Sequence, residues 1–138
     1  MKRVFTDPGH PVPSRDLGLL LLRVAFGASL IGAHGWGKLV DFSERSSSFP
    51  GAFNIGSEAS LALAVFAEVV CGLAVILGIG GRLPAAVLSA FFVVAFFMIH
   101  GGDPFGEREL AFVYLVGFLT LFLTGPGRYS LGKLLRGK

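Results

Sequence analysis

The amino-acid sequence predicts an all-α integral membrane protein that folds as a bundle of four transmembrane helices. Only 15% of the 138 residues are charged and the mean hydropathy is +0.71, whereas a soluble domain normally carries about 25% charged residues. The apolar residues are gathered in four blocks of 15 to 21 residues, at positions 17–34, 59–79, 83–99 and 110–124.

The length of each block indicates a membrane-spanning helix. About 20 helical residues cross the roughly 30 Å of hydrocarbon in a bilayer, and a spanning segment must satisfy its peptide groups internally. The fourth block is short, so we expect Arg108 and Glu109 to extend it as snorkelling ends. All separators contain glycine or proline, and the first one, residues 42–58, is long enough to fold back over the bundle.

The distribution of basic residues predicts the orientation. Eight lie on one side of the predicted membrane and three on the other: Lys2, Arg3, Arg15, Arg82, Arg128, Lys133, Arg136 and Lys138 against Lys38, Arg45 and Arg108. The positive-inside rule therefore places both termini in the cytoplasm of a multi-pass protein of a bacterial-type cytoplasmic membrane. We expect a polar segment at 1–16, a membrane domain at 17–127 and a basic tail at 128–138, with the lipid bilayer rather than nucleic acid as partner.

Two charges fall well inside the predicted spans. Either one alone would cost about 2.5–3.5 kcal/mol on insertion scales, so we expect Arg23 and Glu68 to face the bundle interior. Arg23 lies about 9 Å above the inner end of the first block and Glu68 about 14 Å below the outer end of the second. These depths predict a salt bridge, which either fixes the helix register or belongs to a buried site for an anion or a quinone headgroup.

The motif HGWGK ends the first block and extends the polar face. Residues 23, 34 and 38 lie within about 60° of one another around a helix, so His34 and Lys38 continue the face that carries Arg23. We expect the two glycines flanking Trp36 to let the chain leave the helix and approach a ligand. A role for Trp36 as an interfacial anchor is the alternative.

A second histidine and two carboxylates fall on the same predicted side. His100 ends the third block, and Glu107 and Glu109 open the fourth helix. Two histidines and up to two carboxylates can form a proton relay; a metal site, or a capping pair of His100 and Glu109, is the alternative. We predict His34 and His100 as proton-relay residues and assign ligand binding to Arg23, Lys38, Glu68, Trp36 and Glu109. We predict no metal site, and the single cysteine excludes a disulfide within the chain. No motif for a covalently bound cofactor is present, so quinone is the candidate ligand and electrons must come from a redox partner.

Four segments resemble successive blocks of the DoxX family: LLRVAFGASLIGAHGWGKL, FAEVVCGLAVILGIGGRLPA, FFMIH and ELAFVYLVGFLTLFLTGPGRYSL. The resemblance extends from about residue 16 to residue 131. It implies a small four-helix membrane protein that is related to a subunit of a thiosulfate:quinone oxidoreductase, in a family with further links to redox and oxidative stress. It also implies five shared polar positions, which are Arg23, His34, Lys38, Glu68 and His100.

Three functions are consistent with these features. The leading hypothesis is a membrane subunit of a quinone-linked oxidoreductase or redox-stress complex that binds a quinone or small anion inside the bundle and works with a redox partner protein. A second is a small-solute transporter, which would require a homo-oligomer because four helices leave little room for a pathway. The third is a non-catalytic scaffold subunit whose buried charges serve folding.

Overall fold

The computed structural model describes residues 13–137, and its regular secondary structure is helical. Helix α1 begins as Pro13–Leu30, passes through a π-helical segment at Ile31–Gly35 and continues as Trp36–Val40. It therefore begins four residues before the predicted block and ends six residues after it. Most of the predicted N-terminal segment, residues 1–12, lies outside the described residues, as does Lys138.

The expectation that the chain leaves the helix around Trp36 is wrong, because helical geometry continues to Val40. Gly35 instead allows two helices to approach closely. A Cβ atom at Gly35 would lie 3.0 Å from the Cβ atom of Glu68 and 2.9 Å from Cγ2 of Val69. A side chain at this position would thus push the first helix away from the helix that carries Glu68.

The connection after α1 contains a short helix, α2, at Phe42–Arg45. The chain then folds back on the bundle, and the amide of Ala52 donates a hydrogen bond of 2.9 Å to Oγ of Ser60. This confirms the predicted return of the long separator. Helix α3 follows as Ser57–Val65, a π-helical segment at Phe66–Cys71 and Gly72–Leu77.

Three further helices complete the chain. Helix α4 comprises Leu83–Val94 and a π-helical segment at Ala95–Ile99, with Pro84 in its first turn, where the missing amide leaves no helical hydrogen bond unmade. Helix α5 spans Phe105–Thr124 and begins five residues before the predicted block. Helix α6 is short, at Leu131–Arg136, and Oγ of Ser130 accepts a hydrogen bond from the amide of Lys133 at its start.

The long helices form an up-and-down bundle. Helix α1 packs against α3, α3 against α4, α4 against α5, and α5 returns to α1. The side chains of Leu30, Leu88 and Phe118 are almost fully buried between them. Close approach of α1 and α5 depends on Gly117, where a Cβ atom would overlap the ring of Phe26. The core thus fills the middle of the bundle.

Arg23 lies at the end of the bundle where α3 ends, and its residue is only 2% exposed. The guanidinium donates four hydrogen bonds of 2.7 to 3.0 Å to backbone carbonyls, those of Val75, Ile76, Pro126 and Tyr129. The first two acceptors belong to the last turn of α3, where carbonyls lack the usual amide partner four residues on; that of Val75 also accepts from the amide of Gly78. Arg23 therefore joins α1, the end of α3 and the loop after α5.

The predicted salt bridge between Arg23 and Glu68 is wrong. The predicted depths of Arg23 and Glu68 in the membrane assumed that the first helix ends at His34, but α1 continues to Val40. This extension brings Gly35 rather than Arg23 to the level of Glu68. Arg23 instead satisfies its charge with carbonyl dipoles near the opposite end of α3.

Within residues 13–137, two helices are long and apolar enough to cross a membrane, Arg15–Val40 and Ser57–Leu77. The helix at Leu83–Ile99 is apolar but shorter. Helix α5 has 20 residues, and three consecutive charged residues, Glu107, Arg108 and Glu109, occupy its first turns. The length of α5 is sufficient for a span, while its amino-terminal turns are polar.

Candidate functional site

Lys38 and Glu68 form a buried ion pair between α1 and α3. The Nζ atom of Lys38 lies 2.8 Å from Oε2 and 3.1 Å from Oε1 of Glu68, so the contact is bidentate. Glu68 is 4% exposed. Burial of either charge alone would be costly, and the pair satisfies both charges at the point where Gly35 allows the helices to approach.

A cavity of about 650 Å³ lies beside this pair. Its polar wall includes His34, Lys38, Glu68 and Tyr114, and most of its remaining surface is apolar. Residues of the returning loop form another wall, among them Phe49, Pro50, Ala52 and Phe53. The volume lies in the range of about 300–1,000 Å³ that is usual for small-molecule sites, which are also mostly apolar with few polar groups.

Aromatic rings of the bundle core form one side of the cavity. The ring of Phe92 stacks on that of Tyr114 with centroids 5.0 Å apart, and on that of Phe118 at 5.8 Å. The imidazole of His34 meets Tyr114 edge-on at 5.9 Å. The hydroxyl of Tyr114 shares a hydrogen bond of 2.8 Å with Oγ of Ser29. These contacts give the cavity a rigid floor that can stack against a planar ligand.

Each of the three π-helical segments contributes to this cavity. His34 lies in the segment Ile31–Gly35, and Glu68 lies in Phe66–Cys71. Ile99 ends the segment Ala95–Ile99, directly before His100, and both residues line the cavity. An extra residue in a helical turn changes which side chains face inward, and π-helical turns occur frequently at functional sites. Their convergence marks this end of the bundle as the candidate site.

The rim of the cavity carries a hydrogen-bonded pair of His100 and Asp103. The Nδ1 atom of His100 lies 2.8 Å from Oδ2 of Asp103, and both side chains are partly exposed. Glu107 lies on the same rim and also lines the cavity. Among residues 13–137, no group of three or more His, Cys, Asp or Glu side chains is arranged to hold a metal ion.

The structure brings together four of the seven side chains predicted from the sequence. His34, Lys38, Glu68 and His100 all line the cavity. The other three do not line it: Arg23 is bound to carbonyls near the opposite end of α3, Trp36 is 58% exposed on the bundle surface, and Glu109 is exposed on α5. The exposure of Trp36 is compatible with an interfacial anchor.

Two polar residues of this region were not predicted from the sequence, Tyr114 and Asp103, whereas Glu107 was expected near the histidines and does line the cavity. Tyr114 is the single tyrosine inside an apolar block, and a buried phenol normally requires a hydrogen-bond partner. That requirement is a signal that could have identified it. Asp103 follows His100 by three residues, but a contact between them depends on the turn that ends α4, which no spacing rule specifies.

Comparisons with known proteins agree with this architecture. The family model of DoxX matches residues 18–101. The chain is similar to the inner membrane protein YqjF of Escherichia coli (strain K12), with 31% identity over 127 residues that cover 89% of this chain and 95% of the relative. No solved structure gives a significant match. The chain belongs to the DoxX family, as its sequence motifs predicted.

Family membership also settles where the protein resides. The inner-membrane relative and the apolar helices together identify it as a protein of the bacterial cytoplasmic membrane, in contact with the lipid bilayer. The predicted localisation is therefore confirmed.

Proposed function

We propose that α1, α3, α4 and α5 all span the membrane and that both termini are cytoplasmic. The distribution of basic residues in the described range supports this topology. Five of them lie in the segments near the Arg23 end of the bundle, namely Arg15, Arg82, Arg128, Lys133 and Arg136, and three lie in the segments near the cavity end, namely Lys38, Arg45 and Arg108. The cavity then lies in the outer half of the bilayer.

Within this topology, the protein acts as a membrane subunit of a quinone-linked oxidoreductase and binds a quinone headgroup in the cavity. The observation that carries this proposal is the mostly apolar cavity with the Lys38–Glu68 ion pair and His34 in its wall. A quinone ring is flat and apolar and carries oxygen acceptors. Phe92 and Tyr114 offer an aromatic surface, while Lys38 retains an N–H group beyond the two that bind Glu68.

The ion pair favours a neutral ligand over a small anion. Glu68 accepts both short hydrogen bonds from Lys38, so the carboxylate neutralises the ammonium that would otherwise attract an anion. A free anion entering the cavity would meet the negative charge of Glu68 at close range. A neutral quinone avoids this repulsion and needs only hydrogen-bond donors.

Reduction of a quinone to a quinol takes two electrons and two protons. In the proposed reaction, a redox partner protein supplies the electrons and the histidines conduct the protons to the quinone oxygens. His34 lies in the cavity wall, and His100 connects the cavity rim to Asp103 at the exposed end of α4. The carboxylate of Asp103 orients the imidazole of His100 through this hydrogen bond.

The proposal is tested by purifying the protein from native membranes in a mild detergent and measuring extractable quinone per protein. The expected result is quinone in near-equal molar ratio with the wild type and at least tenfold less with the double variant Lys38→Met/Glu68→Leu. The matched control is Asp41→Asn/Arg45→Gln, which removes an exposed ion pair of α1 and α2 and should retain quinone. Absence of quinone from the wild type, together with no binding of added quinone, would contradict the proposal.

A scaffold subunit is the second candidate, and Arg23 is the observation that favours it. Its guanidinium ties three segments together and does not line the cavity beside Lys38 and Glu68, which supports a folding role for this buried charge. The oligomeric transporter receives less support, because the stacked core rings of Phe92, Tyr114 and Phe118 border the cavity on the side where a pathway through the bundle would continue. Native mass spectrometry of the same preparation would reveal a redox partner or a homo-oligomer.

A further inference from the structure

The cavity continues from its polar wall into an apolar cleft between α3 and α4. On α4 its lining residues extend from Val87 to Ile99, which corresponds to about 18 Å of helix at 1.5 Å per residue. On α3 the facing residues are Leu63, Phe66 and Ala67. The two helices pack along Phe66–Leu77 and Leu83–Val94, so the cleft lies beside and beyond this contact.

The cleft is open along the flank of the bundle. Leu63 and Phe66 line the cavity although they are 55% and 48% exposed, and Ala90 lines it while also being exposed. The outer surface of apolar helices in a membrane protein faces lipid chains. A molecule in the cleft therefore has its polar end against the Lys38–Glu68 pair and its apolar part at the lipid boundary.

We propose that the ligand is a lipid-soluble, prenylated quinone that enters from the bilayer through this cleft and leaves its isoprenoid tail between α3 and α4. The inference rests on the proposed function and specifies its substrate class. The continuity of the cleft with the headgroup site supports a tailed ligand, since the lining extends along about 18 Å of α4 and a quinone ring alone would occupy only part of that length.

The experiment compares two probes in lipid nanodiscs, a benzoquinone ring without a tail and the same ring carrying two isoprene units. Binding to wild-type protein is measured after subtraction of binding to empty nanodiscs. We expect the tailed probe to bind at least tenfold more tightly. Ala90→Trp should remove at least five-fold of this gain by filling the cleft, while binding of the tail-free ring should change less than twofold.

Val93→Trp is the matched control, because Val93 is exposed on α4 but does not line the cavity. This variant should bind the tailed probe more tightly than the tail-free ring by the same factor as the wild type. Val94→Trp, which also fills the cleft, replaces Ala90→Trp if that variant does not fold. If the wild type binds the tail-free ring and the tailed probe equally tightly, the inference is wrong but the proposed function stands. The same holds if Ala90→Trp and Val93→Trp weaken binding of the tailed probe equally. Failure of the wild type to bind either probe would overturn both.

Discussion

Lys38 and Glu68 lie on different helices and hold each other through two hydrogen bonds of 2.8 and 3.1 Å. Their pairing depends on Gly35, which allows α1 to approach α3 at the level of Glu68. The same pair contributes to the cavity wall. One contact thus joins helix packing to the candidate site, and its two roles can be separated by experiment.

Removal of either partner of this pair should destabilise the protein more than removal of both. Lys38→Met leaves a buried carboxylate without a partner, and Glu68→Leu leaves a partly buried ammonium; loss of one partner of such a pair typically costs about 3–5 kcal/mol. The double variant buries neither charge and should recover most of this loss. The measurement is the free energy of unfolding in detergent for all four proteins.

The exposed pair formed by Asp41 and Arg45, 3.5 Å apart, provides the control for this cycle. Its removal should change the free energy of unfolding by less than about 1 kcal/mol, because solvent screens exposed pairs. Additive losses in the Lys38 and Glu68 single variants, with no recovery in the double variant, would show that the two side chains act independently.

Arg23→Lys should destabilise the protein but leave quinone binding by the folded fraction unchanged. Lysine keeps the charge but cannot reproduce the planar donor set that reaches four carbonyls. Each hydrogen bond from a charged donor is worth about 1.5–3 kcal/mol, so we expect a loss of at least about 3 kcal/mol. Arg128→Lys, at an exposed position near the same end, should have little effect. Weaker binding without loss of stability would place Arg23 in the ligand site.

Gly35→Ala should both destabilise the protein and weaken quinone binding. The added methyl group would overlap Val69 and Glu68, and overpacking of this kind typically costs about 1–3 kcal/mol. The control is Gly32→Ala in the same π-helical segment, where a Cβ atom has nothing within 4 Å. That variant should be neutral or more stable by up to about 1 kcal/mol. Equal effects of the two substitutions on binding would contradict the role of Gly35 at the site.

Gly78→Ala should be more destabilising than Gly81→Ala. Both glycines have positive φ, at 71° and 62°, so each substitution introduces left-handed strain of about 1–2 kcal/mol. A Cβ atom at Gly78 would also lie 2.7 Å from Nη2 of Arg23, whereas one at Gly81 meets nothing within 4 Å. The difference in the free energy of unfolding should exceed about 1 kcal/mol. A difference of zero would show that the Arg23 contacts adjust without loss.

The helical blocks were predictable because lipid and helical geometry leave few alternatives to a long apolar run. The end of α1 could not be predicted in this way. The glycines at 35 and 37 indicate a break by local propensity, but packing against α3 preserves the helix. Because α1 ends six residues later than predicted, Glu68 pairs with Lys38 rather than with Arg23. The sequence contained both Lys38 and Glu68 as candidates, but only the register between two helices could pair them.

Other parts of the site depend on tertiary contacts that no local pattern specifies. The predicted fold-back of the first connection was correct, yet the contribution of Phe49 and Phe53 to the cavity wall depends on where the loop lands. The rotation of α5 brings Glu107 rather than Glu109 to the cavity rim, because the two residues lie about 200° apart around the helix.

Quinone binding by purified protein in nanodiscs tests the central claim most directly. Isothermal titration calorimetry with a short-chain quinone would compare the wild type with Lys38→Met/Glu68→Leu, and with Asp41→Asn/Arg45→Gln as control. We expect one site per chain in the wild type and in the control, and at least tenfold weaker binding in the Lys38 and Glu68 double variant. Equal binding by all three folded proteins, or binding by none, would contradict it.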